Sequence, residues 1–280
     1  MTRRVIIVSI QIVMAVFMGI LAVTPGFSSE MVNIKGAGKD TIIASLTIPD
    51  RKGTFPAIIL LHGSIGFDKH YDDWAARLAS WGYVALLLDG FGSRGQSSFL
   101  APPSTLAQDI CYAKSYLSEL PFVDPERIGV IGWSQRGASA LATLCVRFPS
   151  AQKEYPFRAV VTFYPYCFRA LADLDFPLLI LIGELDNRCP VALCMERMPR
   201  KRTENEVTLK VYPRAYHGFD VEGIDTGYMD HRYRYDPRAA ADSIIQVKTF
   251  LAKHLKETPH PWRLPARSRF GEGRGRDSPC

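Results

Sequence analysis

From residue 57 to residue 255, short apolar runs rich in β-branched residues alternate with stretches of helical period. That alternation leaves few folds open. An apolar run of about four to eight residues without a polar face suits a strand covered on both sides, and a helix between two such runs returns the chain to a parallel neighbour. The runs are Ala57 to Leu61, Tyr83 to Leu88, Ile128 to Ile131, Ala159 to Phe163, Leu178 to Ile182 and Val207 to Val211. Tyr71 to Trp81, closed by Gly82, and Leu106 to Leu120, stopped by Pro121, read as helices between them. Another helix sets Ala138, Leu141 and Cys145 on one face, and a short one runs from Leu193 to Met198. The last begins near Pro237, with Ala240, Ile244, Val247, Leu251 and Leu255 at helical spacing. Thr41 to Ile48 alternates instead and reads as an antiparallel edge at the start. The pattern predicts an α/β protein, a mostly parallel sheet with helices on both faces. With no internal repeat or linker inside it, the stretch 30–257 reads as one domain.

The flanks read differently. Arg3 and Arg4 precede a run from Val5 to Val23 that carries no charge, and Pro25, Gly26, Ser28 and Ser29 follow it. A basic start, an apolar core and then small residues match a secretory signal cleaved near Ser28 or Ser29. The run is also about long enough to span a bilayer. Residues 1–29 are therefore expected to be a cleaved leader, sending the chain to the periplasm or outside, or an uncleaved anchor through residues 5–23. Only the anchor brings a membrane in as a partner. Residues 258–280, with Pro259, Pro261, Pro265 and five arginines but no apolar period, read as a disordered basic tail. These flanks account for the charge. The whole chain has 34 Lys+Arg against 28 Asp+Glu, yet residues 30–257 hold 27 basic and 26 acidic groups. A nearly neutral domain removes most of the case for a nucleic-acid partner.

The sharpest local feature is Ile128-Gly129-Val130-Ile131-Gly132-Trp133-Ser134-Gln135-Arg136-Gly137, a strand feeding a helix through a tight turn with Ser134 at its apex. A serine hydroxyl is a poor nucleophile until it is lifted clear of a sheet, set against a base and placed beside backbone N–H donors. Gly132, two residues before the serine, lets such a turn close. Two residues after it the usual pattern has another glycine, but here Arg136 stands there and Gly137 follows. Arg136 must lead out of a crowded turn, either distorting it or placing a cation beside the site as a substrate-binding group. Taken alone, Ser134 reads equally well as an ordinary helix N-cap.

Order and context favour the nucleophile. An acid and then a histidine should follow, each on a loop just after a strand. Asp186 sits in Gly183-Glu184-Leu185-Asp186 after one predicted strand, and His217 in Tyr216-His217-Gly218-Phe219 after the next. Asp186 lies 52 residues beyond Ser134, and His217 a further 31. One strand–helix unit between members fits adjacent strand ends at one rim of a sheet. His62-Gly63-Ser64-Ile65-Gly66, after the Ala57 to Leu61 strand, is where a second oxyanion donor belongs. The backbone N–H groups of Gln135 and Ser64 are assigned to that role, with Ile65 as the nearby alternative.

Taken together, residues from Leu61 to Leu255 resemble the dienelactone hydrolase family of α/β-hydrolases. The marks are Leu61-His62-Gly63-Ser64, Asp89-Gly90-Phe91-Gly92-Ser93-Arg94-Gly95, the Gly-Trp-Ser-Gln turn at residues 132–135, Gly183-Glu184-Leu185-Asp186, Tyr216-His217-Gly218-Phe219 and Tyr235-Asp236-Pro237. The resemblance implies the α/β-hydrolase fold and hydrolysis of a small ester or lactone through an acyl-enzyme, without a cofactor. Ser134 would attack, His217 would carry the proton, and Asp186 would fix the histidine. Many members carry cysteine where Ser134 stands. An alkoxide holds its proton more tightly than a thiolate, so help from His217 becomes indispensable, and simple esters or thioesters are expected ahead of lactones. Where the family's substrate is a carboxylated lactone, arginines hold the carboxylate, and Arg94 matches one such position.

Cys167 and Cys194 follow two neighbouring predicted strands and would pair across the rim in an exported chain. A Cys189–Cys194 bridge and buried free thiols are the competing readings. Asp68, His70, Asp72 and Asp73 mark a helix start rather than a metal site, so no metal is expected. Two other functions compete with an ester hydrolase: a peptidase of the prolyl-oligopeptidase type, and a hydrolase-fold binding protein disabled by Arg136.

Overall fold

The structure, a computed structural model, describes residues 26–36, 40–63, 68–89, 103–144, 157–168, 170–171, 174–201, 203 and 205–256. The first strands are β1 (Phe27–Lys35), β2 (Thr41–Pro49), β3 (Phe55–Leu61) and β4 (Val84–Asp89), followed by β5 (Val123–Trp133), β6 (Ala159–Phe163), β7 (Leu178–Gly183) and β8 (Val207–Tyr212). They form one sheet in the order β1-β2-β4-β3-β5-β6-β7-β8. From β4 to β8 every neighbouring pair is parallel, while β2 runs antiparallel to both β1 and β4. The connecting helices are α1 (Lys69–Ser80), α2 (Pro103–Glu119), α3 (Ser134–Leu144), α4 (Val191–Arg197) and α5 (Pro237–Leu255). This is the α/β-hydrolase fold.

Local chemistry explains the elements. Every residue of β3, β6 and β7 is buried, which is why these strands read as continuous apolar runs. Asp68 caps α1 by accepting the His70 N–H, and Asp236 caps α5 by accepting those of Arg238 and Ala239. Gly82, at φ +85°, ends α1, and the Tyr83 N–H closes back onto the Leu78 carbonyl at 3.0 Å.

Two expectations shift at the amino end. Thr41 to Ile48 lies in β2, one strand in from the edge, because β1 pairs along its whole length from Phe27↔Pro49 to Lys35↔Thr41. The expected domain start at residue 30 therefore falls inside β1. Within β1, the Ser29 hydroxyl lies 3.2 Å from that of Ser45 and 3.1 Å from that of Thr47. The rest of the leader and the tail at 258–280 lie outside the described residues. Among those described, no helix is long and apolar enough to cross a membrane.

The chain passes from β3 outward to β4 and then returns to place β5 on the other side of β3. The order reverses there, and in open α/β sheets the crevice beyond the strand carboxyl ends at such a point is where ligands bind.

Candidate active site

Ser134 sits at that crevice, on the turn between β5 and α3, with φ +53°. Left-handed backbone is strained for a residue with a Cβ, and it persists only where the surroundings enforce it. The enforcement is visible in two glycines. A Cβ on Gly132 would lie 2.9 Å from the Gly137 Cα, and one on Gly137 would lie 2.8 Å from the Gly132 carbonyl oxygen. The helix thus starts flush against the strand that feeds it, and Gly137 supplies the clearance at the position after Arg136. Gln135 follows in the first turn of α3, where backbone N–H groups point out of the helix end.

The loops after β7 and β8 meet Ser134. Its Oγ lies 2.9 Å from His217 Nε2, and His217 Nδ1 lies 2.8 Å from Asp186 Oδ2. The other carboxylate oxygen accepts the Arg188 N–H at 2.9 Å and the Cys189 N–H at 2.7 Å. Asp186 and His217 are both buried. Acceptance by Asp186 fixes the proton on Nδ1, so Nε2 faces the serine as an acceptor. Such a chain can take a proton from the hydroxyl as it attacks and return it to a leaving group.

A cavity of about 260 Å³ opens beside Ser134 and His217. Tyr71, Trp133, Tyr164, Val221 and Ile224 supply apolar wall, and Arg188 and Thr226 bring polar groups. Tyr228 and Tyr233 come from a separate hairpin, β9 (Asp225–Tyr228) and β10 (His231–Arg234), which turns at Met229 and Asp230 with φ of 46° and 61°. Asn187, next to Asp186, clamps the hairpin: its Nδ2 donates to the Asp230 carbonyl at 2.8 Å, and its Oδ1 accepts the Arg232 N–H at 3.1 Å. The Arg234 N–H donates to the His217 carbonyl at 3.1 Å.

Residues 42–255 match the model of the Dienelactone hydrolase family. The chain belongs to this family. Among curated relatives of this dienelactone hydrolase-family protein, a putative carboxymethylenebutenolidase from Synechocystis is 26% identical over 249 residues, covering 77% of this chain and 93% of the relative. Lipase 1 from Moraxella is 27% identical over 134 residues, covering 48% of this chain but only 39% of the lipase. A putative dienelactone hydrolase from Klebsiella pneumoniae superposes with a TM-score of 0.67 at 18% identity, covering 81% of this chain and 99% of that one. Two dipeptidyl-peptidase structures also share the fold, but the chain spans only 36% and 35% of their lengths.

Several groups in this family member were invisible to sequence reasoning. Asp220, buried three residues after His217, accepts from Trp133 Nε1 at 2.9 Å and from the Tyr164 hydroxyl at 2.8 Å. His70 Nε2 lies 3.2 Å from the same carboxylate, within ion-pair distance but not aligned for a hydrogen bond. Burial alone would raise the Asp220 pKa, but His70 and the two donors together hold it below the ordinary carboxylate value. One carboxylate thus ties the residue before Ser134 to Tyr164, whose backbone is at φ +40° and whose ring centroid is 4.4 Å from that of His217. A Trp beside the serine and an Asp just after the histidine were the only traces of this link in the sequence.

Other expectations resolve differently. Arg136 does not line the cavity; it is buried, and its charge acts on His62 and Tyr71 instead. Gly137 provides the close approach that the turn needs, one residue after Arg136. Ser64 and Ile65, assigned to the oxyanion site, and Arg94, assigned to a carboxylate, lie outside the described residues. The arginine that does line the cavity is Arg188. Cys167 and Cys194 are joined by a disulfide, and Cys111 and Cys189 are buried thiols. Ligand atoms of Asp186, Cys189 and His217 lie within 4.8 Å of one another. They make a poor metal site: the first and last are committed to each other, and burial pushes the Cys189 thiol up, away from the thiolate a metal needs.

Proposed function

We propose that this chain is a serine hydrolase that cleaves a small carboxylic ester, lactone or thioester through an acyl-enzyme on Ser134. The observation that carries the reading is the hydrogen-bonded sequence from Ser134 Oγ through His217 to Asp186, with the serine on a strained turn at the mouth of a cavity. Ser134 Oγ attacks the carbonyl carbon while its proton passes to His217 Nε2, and the carbonyl π pair moves onto oxygen. The backbone N–H groups of Gln135 and Ser64 stabilise that oxyanion. As the bond to the leaving group breaks, His217 returns the proton to it. Water then repeats both steps and frees the acid. A cavity of about 260 Å³ suits a small acyl or alcohol group. Simple esters and thioesters fit this serine nucleophile ahead of lactones.

The chain is exported, either cleaved from its leader or anchored by residues 5–23. The Cys167–Cys194 disulfide supports an oxidising destination.

A fluorophosphonate probe tests the nucleophile. The wild type is expected to label and Ser134→Ala not to. Failure of the wild type to label overturns the reading and leaves a hydrolase-fold binding protein. A series of p-nitrophenyl esters tests the substrate class, with turnover expected to fall as the acyl chain outgrows the cavity. Cleavage of dipeptidyl substrates in preference to these esters would move the assignment to a peptidase.

A further inference from the structure

Tyr71 is buried on α1, yet it lines the cavity that holds Ser134 and His217. Its oxygen accepts the Gly63 N–H at 2.8 Å. A phenol that accepts in this way still has one proton to donate. Among the described residues no acceptor takes it, although a buried hydroxyl proton nearly always finds one. Packing holds the ring still: its centroid is 5.2 Å from that of Trp133 and 5.0 Å from that of His70, both edge-on. The hydroxyl and the nucleophile also share a wall. A Cβ built on Gly63 would lie 3.0 Å from Tyr71 Oη and 3.7 Å from Ser134 Cβ. Gly63 is thus bare at a point that borders both the phenol oxygen and the serine.

From this juxtaposition we propose that the Tyr71 hydroxyl is a catalytic residue, a side-chain donor to the oxyanion formed on Ser134. The inference rests on the serine-hydrolase reading above. The Gly63 N–H is committed to Tyr71, so it orients the phenol instead of serving the oxyanion itself. When Ser134 Oγ bonds to the carbonyl carbon, the oxygen that receives the π pair accepts the Tyr71 O–H. No proton is transferred: the phenol keeps its hydrogen, and the Ser134 proton goes to His217 as before. Burial pushes the phenol pKa well up, so Tyr71 keeps its proton and stays a donor.

The test is Tyr71→Phe, which keeps the ring and removes only the hydroxyl. On a p-nitrophenyl ester the variant should lose on the order of 10²-fold in kcat with KM little changed, the pattern of a contact made only in the transition state. The matched thionoester separates catalysis from structure. Its tetrahedral intermediate places the charge on sulfur, a weak acceptor, so loss of the hydroxyl should cost little there. Equal losses on both substrates would mean that Tyr71 only holds Gly63, and would overturn the proposal, as would full activity on the oxoester. Should Y71F not accumulate as a folded protein, Tyr71→Met, a flexible filler of the same space, carries the same comparison. A wild type that neither labels with fluorophosphonate nor turns over any ester would bring down the parent reading and this one together. An active, labelled wild type beside an unimpaired Y71F would bring down this one alone.

Discussion

His62 makes the stability of this chain sensitive to mild acid. It closes β3 and is fully buried, with Nδ1 2.8 Å from the Gly63 carbonyl oxygen. Because that oxygen only accepts, Nδ1 carries the proton and donates. Burial, reinforced by the positive charge of Arg136, lowers the His62 pKa from 6.5 to about 4, against the opposing pull of the Gly63 hydrogen bond and Asp89. The unfolded chain therefore binds a proton more readily than the folded one. Stability is full above the unfolded value near 6.5 and drains away as pH falls toward about 4. At ~1.4 kcal/mol per pKa unit, the gap corresponds to about 3 kcal/mol, a large share of the ~5–15 kcal/mol that holds a domain together. The comparison is with His62→Asn, whose amide nitrogen can sit near the Nδ1 position and does not titrate. Urea unfolding followed by tryptophan fluorescence, at steps between about pH 7 and pH 4, gives both stability curves. Their difference should change by about 3 kcal/mol across that window, to the disadvantage of the wild type in acid. Parallel curves would refute the argument, since every other titrating group is common to both proteins.

Asp220→Ala should lower stability by about 2–4 kcal/mol by leaving the Trp133 indole and Tyr164 hydroxyl buried without an acceptor, and should lower kcat as well; denaturant melts and ester kinetics check both. Replacing Cys167 and Cys194 by serine removes a cross-link between residues 27 apart in sequence, which loop-closure entropy values at about 3–4 kcal/mol; a melt of the oxidised wild type against the variant reads it. Asn187→Ala should cost less than about 1 kcal/mol, because its hairpin bonds are exposed, yet raise KM several-fold and flatten the preference among ester chain lengths.

The sheet was legible in the sequence because strands buried on both faces carry few polar residues to blur them: β3 and β7 have no polar side chain, and β6 has only Thr162. Ser134, Asp186 and His217 were legible through chain order and their places after strand ends, and the structure brings their side chains within hydrogen-bond distance of one another. What stayed hidden depends on long-range geometry. Trp133 and Asp220 are 87 residues apart, and nothing local in either segment implies that they touch. The β9–β10 hairpin was hidden for another reason. Its strands are four residues each and largely exposed, so they carry no apolar alternation, and its turn uses Met229 and Asp230 where glycine or asparagine would have signalled it. Arg136 is a misleading signal because what the turn requires is clearance, not a glycine at one fixed position. Gly137 meets the steric need one residue later.

The hairpin forms a two-stranded sheet of its own, joined to the main fold by a single bridge between Tyr233 and His217, yet it supplies Thr226, Tyr228 and Tyr233 to the cavity wall. Heredity can therefore treat the two parts of the pocket separately. Substitutions at Tyr228, or extra residues at the Met229–Asp230 turn, would reshape what fits without moving the register of any strand that carries Ser134, Asp186 or His217. Ten residues, 225–234, form an exchangeable cassette bolted to a fixed engine through Asn187 and the Arg234–His217 backbone bond, and divergence in substrate preference among descendants of this chain should accumulate there first, at the turn end of the cassette.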